Sequence, residues 1–227
     1  MPDAERVERL LDAQRKATEL FAAIEQARIV RPGVNEREAS EAIRDLAAEL
    51  LGVERHWHKR VVRAGPNALE PYHSNPPDRE IVEDDIVYLD LGPVFEEWEA
   101  DFGRTYVLGD DPSKLRLRDT LPVVFAAGRA HFESTPDITG AQLFDFMVEQ
   151  GASHGYEWGG TIAGHLVGDF PHADAEGDKD YSRIAPANDR PMRGVDSVGN
   201  VAHWILEVHL VDREREIGGF YEELLDL

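Results

Sequence analysis

The chain of 227 residues contains no cysteine. That excludes disulfides, a thiolate metal site and a cysteine nucleophile. No apolar run reaches the roughly 18 residues that a membrane-spanning helix requires. The N-terminal MPDAERVERLLDAQ is charged and amphipathic and lacks the apolar core of a signal peptide. Positive charge is scarce: 24 Lys and Arg stand against 45 Asp and Glu, a net charge of −21. Nucleic acids and anionic membranes are bound by clusters of Lys and Arg, so this balance argues against both as partners. Most of the negative charge reads as a solvated, solubilising surface, and a high-salt habitat fits it equally. The apolar fraction of 42% is that of a globular chain, long enough for a buried core. A cytoplasmic location is expected.

Val7, Leu10, Leu11, Gln14, Ala17, Phe21 and Ile24 follow helical spacing, and Pro32-Gly33 stops that helix. Asn35 and Glu38 then form a capping box for a second helix, which buries Ala39, Ile43, Leu46, Ala47, Leu50 and Leu51 and ends at Gly52. The pattern recurs about 104 residues later. A helix near 113–132 leads to Pro136-Asp137-Ile138. Thr139 and Gln142 then cap a helix carrying Leu143, Phe144, Met147 and Val148, with Gly151 after it. Each half ends in strands and an acidic hairpin, which reads as a weak internal duplication. No stretch has linker composition. The polar, Gly- and Pro-rich segment 173–199 reads as a long surface loop.

Four acidic residues break otherwise apolar strands. Asp90 closes IVYLD, and Asp101 lies eleven residues on, across what reads as a tight hairpin with its turn at Gly92-Pro93-Val94. An assumed register sets Asp90 opposite Asp101, with Cβ atoms about 5 Å apart. Two like charges so placed repel, and a cation between them reverses the sign of that energy. The alternative places both on a solvated face. Glu207 sits in WILEV, and Glu222 follows an expected bend at Gly218-Gly219, in a register that sets the two opposite each other; Glu223 is its near neighbour. A glutamate buried in such a strand needs a partner. His165 lies between Gly164 and Gly168, where backbone can approach a ligand closely, although a lone histidine in such a place is often structural. Four carboxylates and an imidazole suit a pair of hard-to-borderline divalent cations. His172 and His73, in Pro- and Gly-flanked loops, are further candidates. His56, His58, His131, His154, His203 and His209 carry no evident role.

The motifs RPGVNEREASEAI, IVEDDIVYLDLG, DFGRT, GHLVGDFPH, ILEVH and GGFYEE span nearly the whole chain. Together they resemble the pita-bread metallopeptidases: methionine aminopeptidase, aminopeptidase P, prolidase and the related creatinase. That family's metal ligands run Asp, Asp, His, Glu, Glu, and the resemblance lays them on Asp90, Asp101, His165, Glu207 and Glu222. It implies an α+β pita-bread fold, with two pseudo-symmetric halves and a curved antiparallel sheet covered by helices. It implies that Asp90 chelates one ion, that Asp101 and Glu222 bridge two, and that His165 and Glu207 complete the second. His73 and His172 match the family histidines that touch substrate and stabilise the tetrahedral intermediate.

On this resemblance residues 1–227 form a single catalytic domain, of stand-alone size and without the extra N-terminal domain of typical prolidases. The expected cofactors are two divalent ions, manganese or cobalt first and iron or zinc next. The expected reaction is hydrolysis of an N-terminal peptide amide, with Xaa-Pro substrates ahead of Met-initiated ones and a homodimer as the assembly. Departures fall around the ligands. The usual Gly-His-Gly-Ile-Gly is Gly164-His165-Leu166-Val167-Gly168 here, Ala173 follows His172 where many members have Glu, and Val208 follows Glu207 where many have Pro. These changes bear on the substrate more than on the ions. The alternatives are a creatinase-like C–N hydrolase acting on a small non-peptide substrate and a non-catalytic binding protein on the same fold.

Overall fold

Apolar stripes at helical spacing give two helix pairs, one in each half of the chain. In the computed structural model, which describes residues 1–172 and 180–227, α1 (Asp3–Gln26) buries Leu10, Ala13, Ala17, Leu20, Phe21 and Ile24. Leu11, expected on that face, is 42% exposed. In α2 (Glu36–Leu51) the expected capping box is present, with Glu38 accepting from the Asn35 amide at 3.1 Å, and Gly52 closes the helix at φ 65°. The second pair is α3 (Pro112–Ser134) and α4 (Gly140–Ser153). Thr139 and Gln142 exchange bonds of 3.2 and 3.0 Å, the second capping box. Gly151 lies within the last turn of α4 rather than after it, because the helix packs there against Leu210 at a distance that leaves little room for a side chain.

The strands β1 (Val61–Ala64), β2 (Ile86–Leu91), β5 (Phe102–Val107), β6 (Glu157–Trp158), β7 (Gly164–Val167), β8 (His203–Asp212) and β9 (Ile217–Leu224) form one antiparallel sheet. Its order is β1-β2-β5-β9-β8-β6, with β7 also paired to β8. Val87, Leu89 and Leu91 of β2 join α1 and α2 in one core, and Leu206, Val208 and Leu210 of β8 join α3 and α4 in another. Alternation turns Tyr88, Asp90, Glu207, Phe220 and Glu222 towards a shared cavity on the other face. The expected α+β architecture of two similar halves is therefore the one observed. The halves meet at β5 and β9, which share one register pair, Gly103 with Glu222. Beside it the Thr105 hydroxyl replaces the ladder, donating to the Phe220 carbonyl at 2.8 Å and accepting from its amide at 2.7 Å.

Three expectations are corrected. The first acidic hairpin is not tight: β3 (Val94–Phe95) and β4 (Trp98–Glu99) form a small separate sheet inside the connection. Asp90 consequently pairs with Gly103, and Asp101 lies just ahead of β5. Gly218 and Gly219 lie within β9 and are no bend; the turn is at residues 213–216. Glycine is required at 218 because a Cβ there would stand 2.2 Å from the Ala68 carbonyl oxygen. Residues 173–179 of the expected loop lie outside the described residues. The rest is more than surface: Ile184, Asn188 and Met192 are buried, and the Asn188 carbonyl accepts from the Ala141 amide at the start of α4.

Gly218→Ala is expected to lower stability by about 1–3 kcal/mol, the scale of overpacking against a rigid neighbour. Gly194→Ala, where nothing lies within 4 Å, is the control. Thermal denaturation of the two variants checks this, and equal melting temperatures would contradict the packing at Ala68.

Candidate metal centre

All five ligand candidates line one cavity of about 480 Å³. Asp90 arrives from β2, and Asp101 from the segment just before β5. Glu207 and Glu222 face each other across β8 and β9, in the register expected from the sequence. Glu223 turns to the opposite face, where it pairs with Arg104 and accepts from the Tyr221 hydroxyl at 3.2 Å. His165 enters from β7, where Gly164 (φ 133°) brings the backbone so close that a Cβ would meet the Ile205 carbonyl at 2.0 Å. Its Nδ1 lies 2.7 Å from the Leu166 carbonyl, which can only accept, so Nδ1 carries the hydrogen. Nε2 then faces Asp101 at 3.0 Å and Glu207 at 3.9 Å.

His58, which has no evident role in the sequence, joins this group. Its Nδ1 is 2.7 Å from the Lys59 carbonyl, and its Nε2 is 3.1 Å from Asp101 and 3.4 Å from Asp90. The signal for it was the duplication: His58 lies 107 residues before His165, close to the repeat offset. Trp57 packs edge-on to both rings, with centroids 4.5 Å from His58 and 5.2 Å from His165.

The other histidines divide clearly. His172 donates its amide to Glu99 at 3.1 Å and places Nδ1 3.2 Å from the same carboxylate, while Nε2 is buried with no partner among the described residues. His73 is exposed on the rim of the cavity. The loop carrying it is stapled from below by the buried Arg63, which donates to the carbonyls of Glu70, Pro71 (2.8 Å), Tyr72 (3.3 Å) and Ser74 (2.8 Å). Tyr72, also missed in the sequence, stands edge-on to His58 at 5.7 Å, with the Lys59 ammonium 4.8 Å from its ring centre. Burial and the Asp90 charge push its hydroxyl up to about 12. His209 reaches the cavity wall, but its Nε2 is 2.9 Å from the Ala68 carbonyl, and burial brings it down to about 4, so it is neutral. His203 faces Asp226 and Asp3 instead.

Four carboxylates in one buried space oppose their own ionisation. Burial pushes Asp90 and Glu207 up to about 7, against the pull of His58 on the first and of His165 on the second. Glu222 rises well above the usual carboxylate range through burial and the Asp101 charge. Asp101 goes the other way: burial would raise it, but His58 and His165 hold it below that range. Burial disfavours the charged form of both imidazoles, yet the facing carboxylates hold each at about 9. Glu222 Oε2 is buried with no hydrogen-bond partner among the described residues. Such an arrangement is costly for the protein alone, and a cation relieves it. The residues fit that role. The ligand atoms of His58, Asp90 and Asp101 lie within 4.8 Å of one another, as do those of Asp101, His165 and Glu222. Asp101 belongs to both groups.

These shifts fix a sign. Raised carboxylate and imidazole pKa values both mean that the folded site holds extra protons, so the contribution of these groups to ion-free stability falls as pH rises from about 5 through 9. Asp101 opposes this below its ordinary range, and His56 and His209, held at about 4, oppose it up to the ordinary imidazole range. A divalent ion binds the deprotonated ligands, so its stabilisation grows over the same interval. The gain in melting temperature on adding Mn²⁺ to metal-stripped protein should therefore be larger at pH 8 than at pH 5, as measured by calorimetry. A gain independent of pH would contradict the assignment.

Comparison with known proteins agrees with this geometry. The chain is 28% identical over 151 residues to an Xaa-Pro dipeptidase of Pyrococcus horikoshii, a match covering 66% of this chain and 41% of that protein. It is 31% identical over 168 residues to the probable dipeptidase PepE of Mycobacterium bovis, covering 70% and 42%. The chain thus spans less than half the length of the curated relatives it matches. The crystal structure of a prolidase from Thermococcus sibiricus superposes with a TM-score of 0.75 at 18% identity, over 100% of this chain and 57% of that one. The shared fold is the pita-bread arrangement. The model of metallopeptidase family M24 matches residues 8–203, and the chain belongs to that family.

Proposed function

We propose that the chain is a metal-dependent hydrolase that cleaves N-terminal amide bonds of peptides, with Xaa-Pro aminopeptidase or dipeptidase substrates ahead of Met-initiated ones. One observation carries the reading: Asp90, Asp101, His165, Glu207 and Glu222 converge on one cavity, and a buried oxygen of Glu222 has no partner among the described residues. The names borne by the relatives, Xaa-Pro dipeptidase and dipeptidase, support the substrate class.

In this reading Asp90 would hold one ion, His165 and Glu207 the second, and Asp101 and Glu222 would serve both. The membership of Asp101 in both cation-sized groups supports its shared role. Oxygen donors with imidazole nitrogen suit manganese or cobalt, with iron and zinc also compatible. The ions, when bound, would supply an acidified water and polarise the carbonyl under attack. The chain's own residues do the rest. Glu99 fixes the orientation of His172 through its amide and Nδ1, which leaves Nε2 to hydrogen-bond the carbonyl oxygen as charge develops on it. His73 meets the substrate at the rim. Arg63 keeps the 70–74 loop, with Tyr72 and His73, at a fixed height above the carboxylates. The cavity of about 480 Å³ suits a dipeptide or a short N-terminal segment and also admits a small non-peptide amide.

The test is mass-spectrometric cleavage of a peptide panel by metal-stripped protein, before and after adding Mn²⁺. The panel holds Xaa-Pro dipeptides, longer Xaa-Pro peptides and Met-initiated peptides. Cleavage should require the ion and vanish in Asp101→Asn. His172→Ala should lower kcat by about 10²–10³-fold, the usual loss on removing an oxyanion donor. If no peptide is cut, the peptidase reading falls and a creatinase-like substrate takes its place.

A further inference from the structure

We propose that His58 is a sixth metal ligand, so that each ion of the centre receives one imidazole. The inference rests on the dinuclear reading above and adds to the five ligands expected from the sequence.

His58 and His165 are built alike. Each directs Nδ1 to the carbonyl of the next residue, Lys59 or Leu166, at 2.7 Å. Each directs Nε2 to Asp101, one to Oδ1 at 3.1 Å and the other to Oδ2 at 3.0 Å. The two rings thus straddle a single carboxylate, one from each half of the duplicated fold. A backbone carbonyl on Nδ1 is the usual partner that fixes the orientation of a ligating imidazole and leaves Nε2 for the ion. The surroundings hold His58 in that pose. Its side chain is 6% exposed, Trp57 packs on one edge and Tyr72 on another. On the remaining side the chain has Gly92, where a Cβ would stand 2.1 Å from the ring. Together with Asp90 and Asp101, His58 makes a three-ligand group compact enough for one cation. The oxygen of Glu222 that has no partner among the described residues lies in the same cavity, an independent sign that a cation completes the cluster.

The competing account makes His58 a permanent cationic partner of Asp90 and Asp101 that never touches a metal. The two accounts differ in the donor set. Without His58, the site around Asp90 is all oxygen and suits Mg²⁺ or Mn²⁺. With it, the site gains a nitrogen donor and leans towards Co²⁺ or Zn²⁺.

The experiment uses the chain loaded with two equivalents of Co²⁺ and reads the ligands by X-ray absorption at the cobalt edge. The expected result is an average of one imidazole per cobalt. An average of one imidazole shared between two cobalt ions would overturn the assignment of His58 while leaving the dinuclear centre intact. Binding of fewer than two ions would overturn the dinuclear reading and this proposal with it. Calorimetric titration of His58→Gln supplies a second readout. One of the two Co²⁺ binding steps should weaken by at least about tenfold, the scale on which even outer-layer partners of a ligand act. Unchanged affinity in both steps would overturn the proposal. Absorption on the unmodified chain decides alone if the variant fails to fold.

Discussion

The crowding of four carboxyl groups into one enclosed space is the constraint on which the rest of the molecule is arranged. Ionised together, Asp90, Asp101, Glu207 and Glu222 would repel, because the interior screens their charges poorly, and without an ion the site answers by holding protons. They stay together because each is carried on backbone fixed by something else. Val87, Leu89 and Leu91 anchor Asp90 through the first core, and Leu206, Val208 and Leu210 anchor Glu207 through the second. Fully burying a side chain of this kind is worth about 1.5–3 kcal/mol, so a few of them on each strand outweigh the local cost of one misplaced charge. The two helix pairs, which never touch the cavity, are in this sense part of the site.

What could be read from the sequence followed the range of the interactions involved. Both capping boxes were legible because a cap is settled within four residues: Asn35 with Glu38, and Thr139 with Gln142. The facing of Glu207 and Glu222 was legible because β8 and β9 are joined by a short turn, and counting across it works. The same counting failed for Asp90 and Asp101, where two extra strands occupy the connection and shift the pairing to Gly103. Gly218-Gly219 was misread for a related reason. Paired glycines often mark a turn, whereas here Gly218 makes room for the backbone of residue 68 and Gly219 for the side chain of Leu117, both distant in the chain.

The ligand order Asp, Asp, His, Glu, Glu pointed to the cavity, while His58, Tyr72 and Arg63 went unnoticed. HWHKR has no period and sits between elements, and only its distance from His165 marks it. Arg63 is 3% exposed and donates almost wholly to main-chain carbonyls, a bonding pattern with no sequence signature. Glu99 is similar: an acidic residue on a two-residue strand whose use became visible only when His172 was placed beside it. The cavity carboxylates stood out by their chemistry. The residues that hold the cavity in shape stand out only by geometry.

The join between the two halves bears on how the molecule opens. Along β5 and β9 the only strict ladder pair sets Gly103 against Glu222, and the neighbouring bonds come from the Thr105 hydroxyl. One of the two residues at this narrow junction is thus itself a cavity carboxylate. An ion held there would act as a rivet through the middle of the sheet, and without it the line of sparsest backbone pairing has no such clamp. Fluctuations that part the sheet should begin at this line rather than at its outer strands, and the amide hydrogens flanking Gly103 and Glu222 would then exchange ahead of those in the two cores.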